Sequence, residues 1–249
     1  MNLADVVLVY ADAEIPKLRP YLTPRQYVTA TNNSLEPSAM LAAQAAWAPR
    51  LKEFEGEQGL TDKHLLLFCG RLRPGSQVDV LIRALAYAQV TDNVVLAIIG
   101  SGQEEADLRA LAEELGVNGS IKWLGAHYEE SFLAPWFGLS KCFVYPGSIG
   151  LSLLHAFTYG VPVVTHSDSH LHNPEIHALV NRHNGLTFKR GDPRSLWQTI
   201  TEMIGDDSLR NNLAMKAYVT AHEEWSFART VHRLVNAVVT ASRRGSTHR

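Results

Sequence analysis

From His64 onward, short apolar, β-rich runs alternate with stretches whose apolar residues recur at helical spacing, and this alternation restricts the chain to a parallel sheet with crossover helices. The strands it predicts are HLLLFCG (64–70), VVLAIIG (94–100), SIKWLG (120–125), KCFVYPG (141–147), VPVVT (161–165) and GLTFK (185–189). Between them Val78, Leu81, Ile82 and Leu85 mark one buried helix face, and Leu108, Leu111, Ala112 and Leu115 another, with Gly116 as a stop signal. Asp192-Pro193 reads as an N-cap and first-turn proline opening two or three closing helices, and ASRRGSTHR as a frayed basic tail. The expected class is α/β, a parallel sheet with helices on both faces.

Residues 1–58 differ. They hold one strand (5–10), a helix, a short strand near 27–30 and a helix ending in the charged stretch LKEFEGEQG, too little for a core of their own. Such an abrupt start inside a strand–helix pattern suggests the end of a domain whose beginning is absent. The expected organisation is therefore a remnant and linker over 1–58, one ligand-binding domain over 59–242 and a tail over 243–249. With 249 residues, 46% of them hydrophobic and 19% charged, the chain has enough apolar surface for that one large domain. A net charge of −2 lacks the basic field that would hold nucleic acid. Cys69 and Cys142 lie in strand runs and read as small core hydrophobes of a reducing compartment. No basic leader or bilayer-length apolar run stands out, so a cytoplasmic location, at most peripheral to the inner membrane, is expected.

Four strand ends carry candidate chemistry, because open α/β sheets bind ligands there and helix N-termini attract phosphate. In GRLRPGSQVDVLIRAL (70–85), Arg71 follows the strand and would set a fixed positive charge beside the next helix. In IIGSGQEEADL (98–108), the early acids suit a helix N-terminus but repel phosphate, so that loop is expected to shape the cleft only. In YPGSIGLSLLHAFTYGVPVVT (145–165), Gly147 and Gly150 let the backbone approach a ligand, the amides of Ile149, Gly150, Leu151 and Ser152 open a helix, and Ser148 and Ser152 add hydroxyls. This is a credible diphosphate cradle. His155, one turn on, faces the same cleft or is a satisfied half-buried histidine. The cluster His166, His170, His172, Glu175 and His177 matches no zinc spacing, and reads better as a loop whose Asn173-Pro174-Glu175 presents polar groups to a sugar. No Gly-x-Ser-x-Gly elbow and no P-loop lysine motif occurs.

Taken in order, GRLRPGSQVDVLIRAL, IIGSG, IKWLG and PGSIGLSLLHAFTYGVPVVT followed by PEI and NGLTF resemble the donor-binding, C-terminal domain of glycosyltransferase family 4 over about residues 60–240. The resemblance implies one Rossmann-like half of a GT-B fold, in which a nucleotide-sugar is held without metal or other cofactor, its sugar is transferred with retention, and the first domain supplies the acceptor site. Here either a partner chain supplies that domain or the chain is a truncated remnant with little activity by itself. It implies that Arg71 faces the diphosphate, that Ile149, Gly150, Leu151 and Ser152 contact phosphate and sugar, and that Ala126 and His127 meet the base. The family's lysine, five residues after the arginine, is Ser76 here, and its two glutamates fall on Gly147 and His155. Arg73 then stands in for the lysine and His155 serves the ribose. A non-catalytic nucleotide-sugar-binding module and a GT-B-like epimerase are the alternative readings.

Overall fold

The computed structural model describes residues 4–88 and 93–246. Near its start, β1 (Val6–Val9) and β2 (Tyr27–Ala30) form a two-stranded parallel sheet, with the short helix α1 (Ile15–Leu18) between them in sequence. The helices α2 (Ser38–Trp47) and α3 (Leu51–Glu57) lead into the main sheet. Its strands are β3 (His64–Cys69), β4 (Val94–Ile99), β5 (Ile121–Gly125), β6 (Ser140–Tyr145), β7 (Val163–His166) and β8 (Gly185–Phe188), so all six predicted runs form strands. Between them lie α4 (Val78–Leu85), α5 (Glu105–Glu114), α6 (Glu130–Leu139) and α7 (Leu151–Thr158), and α8 (Pro193–Gly205), α9 (Asp207–Val219) and α10 (Phe227–Ser246) close the chain. Among the described residues no helix is long and apolar enough to cross a membrane.

The six strands are parallel in the order β5-β4-β3-β6-β7-β8. The chain starts at the centre, winds outward through β4 and β5, returns beside β3 as β6 and winds the other way. A Rossmann-like topology of this kind leaves a crevice where the winding reverses, outside the carboxyl ends of β3 and β6. Leu65 to Phe68 of β3 and Leu96 to Ile98 of β4 are each at most 1% exposed, which is why these strands read as unbroken apolar runs rather than alternating ones. Each fully buried Leu or Phe contributes about 1.5–3 kcal/mol through water exclusion. On the flanks α4 packs against α5 and α8, while α6 packs against α2 and α3.

Two elements differ from the sequence reading. Helix α6, ESFLAPWFGL, has Pro135 inside it and buries Leu133, Ala134, Trp136 and Phe137 in succession, so it shows no single apolar stripe from which a helix is read. The tail expected over 243–249 is helical as far as Ser246, and residues 247–249 lie outside the described residues. The helix persists because α10 crosses back onto the first two strands. Thr230 donates to the Asn32 carbonyl at 2.7 Å, Arg233 pairs with Asp12 at 2.8 Å, and Arg244 donates to the Arg25 carbonyl beside the Tyr27 ring. Phe227, Val231, Val235, Val238 and Val239 of α10 remain exposed.

The turns at the sheet's carboxyl edge touch backbone to backbone. Gly100 has φ +156°, and a Cβ there would stand 1.9 Å from the Gly70 carbonyl oxygen. A Cβ on Gly147 would stand 2.1 Å from that of Gly75. Gly147→Ala is therefore expected to lower stability by about 1–3 kcal/mol through overpacking, whereas Gly75→Ala, with nothing within 4 Å of its Cβ position, changes it little. Urea denaturation of the two variants checks the contrast.

Candidate functional site

A cavity of about 230 Å³ opens at the carboxyl ends of the strands on the β3 side of the crevice. Gly70 and Arg71 follow β3, Gly100 and Ser101 follow β4, Ala126 to Tyr128 follow β5, Glu130 and Leu133 come from α6, and His155 from α7. The register between β4 and β5 shifts beside the cavity, with Ile98 opposite Trp123 and Ile99 opposite Gly125. Of the twelve predicted site residues, Arg71, Ala126, His127 and His155 line this one cavity. Arg71 is exposed and free to meet an anion. His127 is fixed by its Nε2 hydrogen bond with the Leu124 carbonyl at 3.1 Å and by stacking on Phe132.

The other predicted residues sit differently. Ser76 is fully buried, and its hydroxyl donates to the Arg71 carbonyl at 2.6 Å, so it closes the turn after β3 instead of facing a ligand. The same hydroxyl lies 3.3 Å from the Tyr145 hydroxyl. Arg73 is exposed on the same turn but outside the cavity lining. Gly147 is packed on Gly75, and the Ser148 amide donates to the Gly75 carbonyl at 2.8 Å, so this part of the expected cradle is spent on the neighbouring turn. The Ile149 side chain is fully buried and its amide donates to His172 Nδ1 at 3.1 Å, which corrects its expected place in the cradle. Gly150 caps α7 against the Asn173 side chain. The amides of Leu151 and Ser152, first in α7, have no backbone acceptor among the described residues and remain open to an anion.

Sequence reasoning missed Glu130. Its carboxylate faces His155 Nε2 at 3.1 Å through Oε1 and 3.2 Å through Oε2, and accepts from the Tyr159 hydroxyl at 2.6 Å. Burial by itself would raise the Glu130 carboxyl, but the hydrogen bond and charge of His155 and the hydrogen bond from Tyr159 outweigh it and hold the group below its ordinary range. Burial and the carboxylate together push the Tyr159 hydroxyl up, so it stays a donor. Cys69 also reaches the cavity, its thiol pushed up to about 12 by burial and by Glu130. The signal for Glu130 was its place, just after Ala126-His127-Tyr128, at the start of a helix the apolar pattern concealed.

The histidine cluster is a clasp. His166 and His172 stack with ring centres 3.7 Å apart, His172 Nε2 bonds the His166 carbonyl at 3.0 Å, and its Nδ1 takes the Ile149 amide. The buried Glu175 accepts from Asn33 at 3.0 Å. His166, His172 and Glu175 hold the loop after β7 on the turn after β6 and on the segment before α2, while His170 and His177 stay exposed. Among the described residues no group of three His, Cys, Asp or Glu is arranged for a metal ion.

The family described as glycosyl transferases group 1 matches residues 50–220. The lipopolysaccharide core biosynthesis glycosyltransferase LpsE of Rhizobium meliloti is 27% identical over 168 residues, covering 66% of this chain. The chain spans 46% of that relative's length. By fold it is similar to HepE of Anabaena, crystallised with UDP, at a TM-score of 0.78 and 16% identity over 95% of this chain and 64% of HepE. It is also similar to the C-terminal domain of the group 1 protein LpcC of Francisella tularensis, at a TM-score of 0.58 and 17% identity over 66% of this chain and 87% of that one.

The clasp sets a pH dependence. Burial, then the neighbouring His172 and Arg190, lower His166 from 6.5 to about 4, and burial lowers His172 as well. The unfolded chain takes up these protons near pH 6.5 and the folded chain only below that, so stability falls as pH drops from about 6.5 toward 4. The fall is expected to be shallower in His166→Gln, measured by denaturant unfolding at pH 7 and pH 5.

Proposed function

The chain belongs to the glycosyl transferases group 1 family, and from that premise we propose that it is the donor-binding, C-terminal half of a retaining family 4 hexosyltransferase with a GT-B fold. The observation that carries this reading is the cavity at the winding reversal, where Arg71, Ala126, His127 and His155 meet beside the open amides of α7. A nucleotide-sugar laid there sets its base against Ala126 and His127 and its diphosphate toward Arg71, Leu151 and Ser152. In the transfer, the bond from the anomeric carbon to the diphosphate breaks and one to the acceptor oxygen forms. Charge then builds on the departing diphosphate, where a guanidinium and helix amides stabilise it. The reaction asks for no metal or cofactor in this reading. The names of relatives such as LpsE support a role in polysaccharide or glycolipid assembly. A place at the cytoplasmic side, at most peripheral to the membrane, goes with this reading.

The acceptor site belongs to a further domain, in the same polypeptide or on a partner chain. In this division residues 1–58 are the end of the acceptor domain with its linker, and 59–242 the donor domain. Among the described residues β1 and β2 pair only with each other, Leu8 and Tyr10 are exposed, and α10, which packs on both strands, keeps exposed apolar side chains, features suited to extension by another α/β layer. One observation favours a second reading, donor binding without turnover: at Gly147, where the family carries a carboxylate, the contact with Gly75 excludes any side chain.

Calorimetric titration with UDP, GDP, ADP and their sugar conjugates tests the proposal. One nucleotide family is expected to bind at micromolar strength, with Arg71→Ala weakening it about tenfold or more. Absence of binding to all of them sinks the donor-site reading.

A further inference from the structure

Glu130 is the only carboxylate among the described residues that line the cavity. It is the first residue of α6, where the helix dipole favours a negative charge. Its two partners reach it from α7 and the residue after it, His155 and Tyr159, and both stand on its oxygens as donors. An ionised carboxylate has about four lone-pair positions, and His155 and Tyr159 do not fill them. Oε1 meets only His155 among the described residues, and the side chain keeps 22% of its surface exposed. Such a group accepts hydrogen bonds and cannot donate them, so what it meets in a ligand must carry hydroxyl or amine hydrogens.

Position narrows the choice. The cavity lining holds Arg71, a cation, together with Ala126 and His127, against which the proposed function sets the base, and Glu130 comes from the element that follows these two in sequence. In a nucleoside diphosphate, the part between base and phosphates is the ribose with its neighbouring hydroxyls. We propose that Glu130 is the residue that reads the ribose diol of the donor, and that His155 and Tyr159 are positioning residues acting through it. This rests on the nucleotide-binding reading above. It changes the role drawn for His155 from the sequence: the imidazole holds the carboxylate, and the carboxylate holds the sugar ring of the nucleotide.

The test compares UDP, GDP and ADP with their 2′,3′-dideoxy counterparts by calorimetry, on the wild-type chain and on Glu130→Gln. The wild-type chain is expected to bind the ribose form of its nucleotide about tenfold or more tightly than the dideoxy form, as befits hydrogen bonds to a charged acceptor. Glu130→Gln is expected to bind the two within about twofold of each other, at the dideoxy level. A merely structural link between α6 and α7 would weaken both forms alike and leave the ratio intact, which overturns the proposal. So does a wild-type chain that ignores the diol. If none of the three nucleotides binds the wild-type chain, the donor-site reading itself has failed and this inference falls with it. Glu130→Asp, which keeps the charge but draws the carboxylate back by one methylene, covers the case in which Glu130→Gln does not fold. There the ratio is expected to shrink, and an unchanged ratio overturns the assignment.

Discussion

The turn after β6 lies directly on the turn after β3, with the Gly147 backbone against the Gly75 carbonyl and the Ser148 amide bonded to it. Those two strands are neighbours because the winding of the sheet reverses between them. One turn leads into α4 and the other into α7, so their contact sets how far apart the two helix starts stand. It also sets where Arg71 and the open amides of Leu151 and Ser152 lie. A side chain at position 147 would force the turns apart and move both groups at once.

The charges around the crevice follow from what the backbone leaves unsatisfied. The α7 N-terminus keeps the amides of Leu151 and Ser152 open among the described residues, while the expected donor at Ile149 is taken by a neutral His172. Arg71 projects from the strand end, and across the cavity Glu130 is kept ionised by His155 and Tyr159 despite partial burial. One cavity of about 230 Å³ thus holds a cation and a carboxylate in its lining. The hydrogen bonds that keep the carboxylate ionised also tie α6 to α7.

How much of this was legible differs by element. Strand runs such as VVLAII and HLLLFC announce themselves because a strand covered on both faces must be apolar throughout. Arg71, Ala126, His127 and His155 could be singled out because strand ends and helix starts are where α/β proteins hold ligands, and the structure brings these four to one cavity. Ser76 and Ile149 were misplaced because a motif names positions and says nothing about which way a side chain turns; both are fully buried. The histidine cluster looked like a ligand surface, since its members are polar and close in sequence. Their mutual stacking and bonds to Ile149 are tertiary contacts.

By itself the sequence determined the α/β class, the strands, the glycine-bearing turns and the family resemblance, because periodicity and local turn chemistry are properties of neighbouring residues. Tertiary structure alone decided the rest: that α6, hidden by burial on every side, carries Glu130 to His155 over 25 positions of sequence, and that α10 folds back over β1 and β2. These pairings depend on the order of strands in the sheet and on which helix faces meet, and neither is encoded in the spacing of residues along the chain.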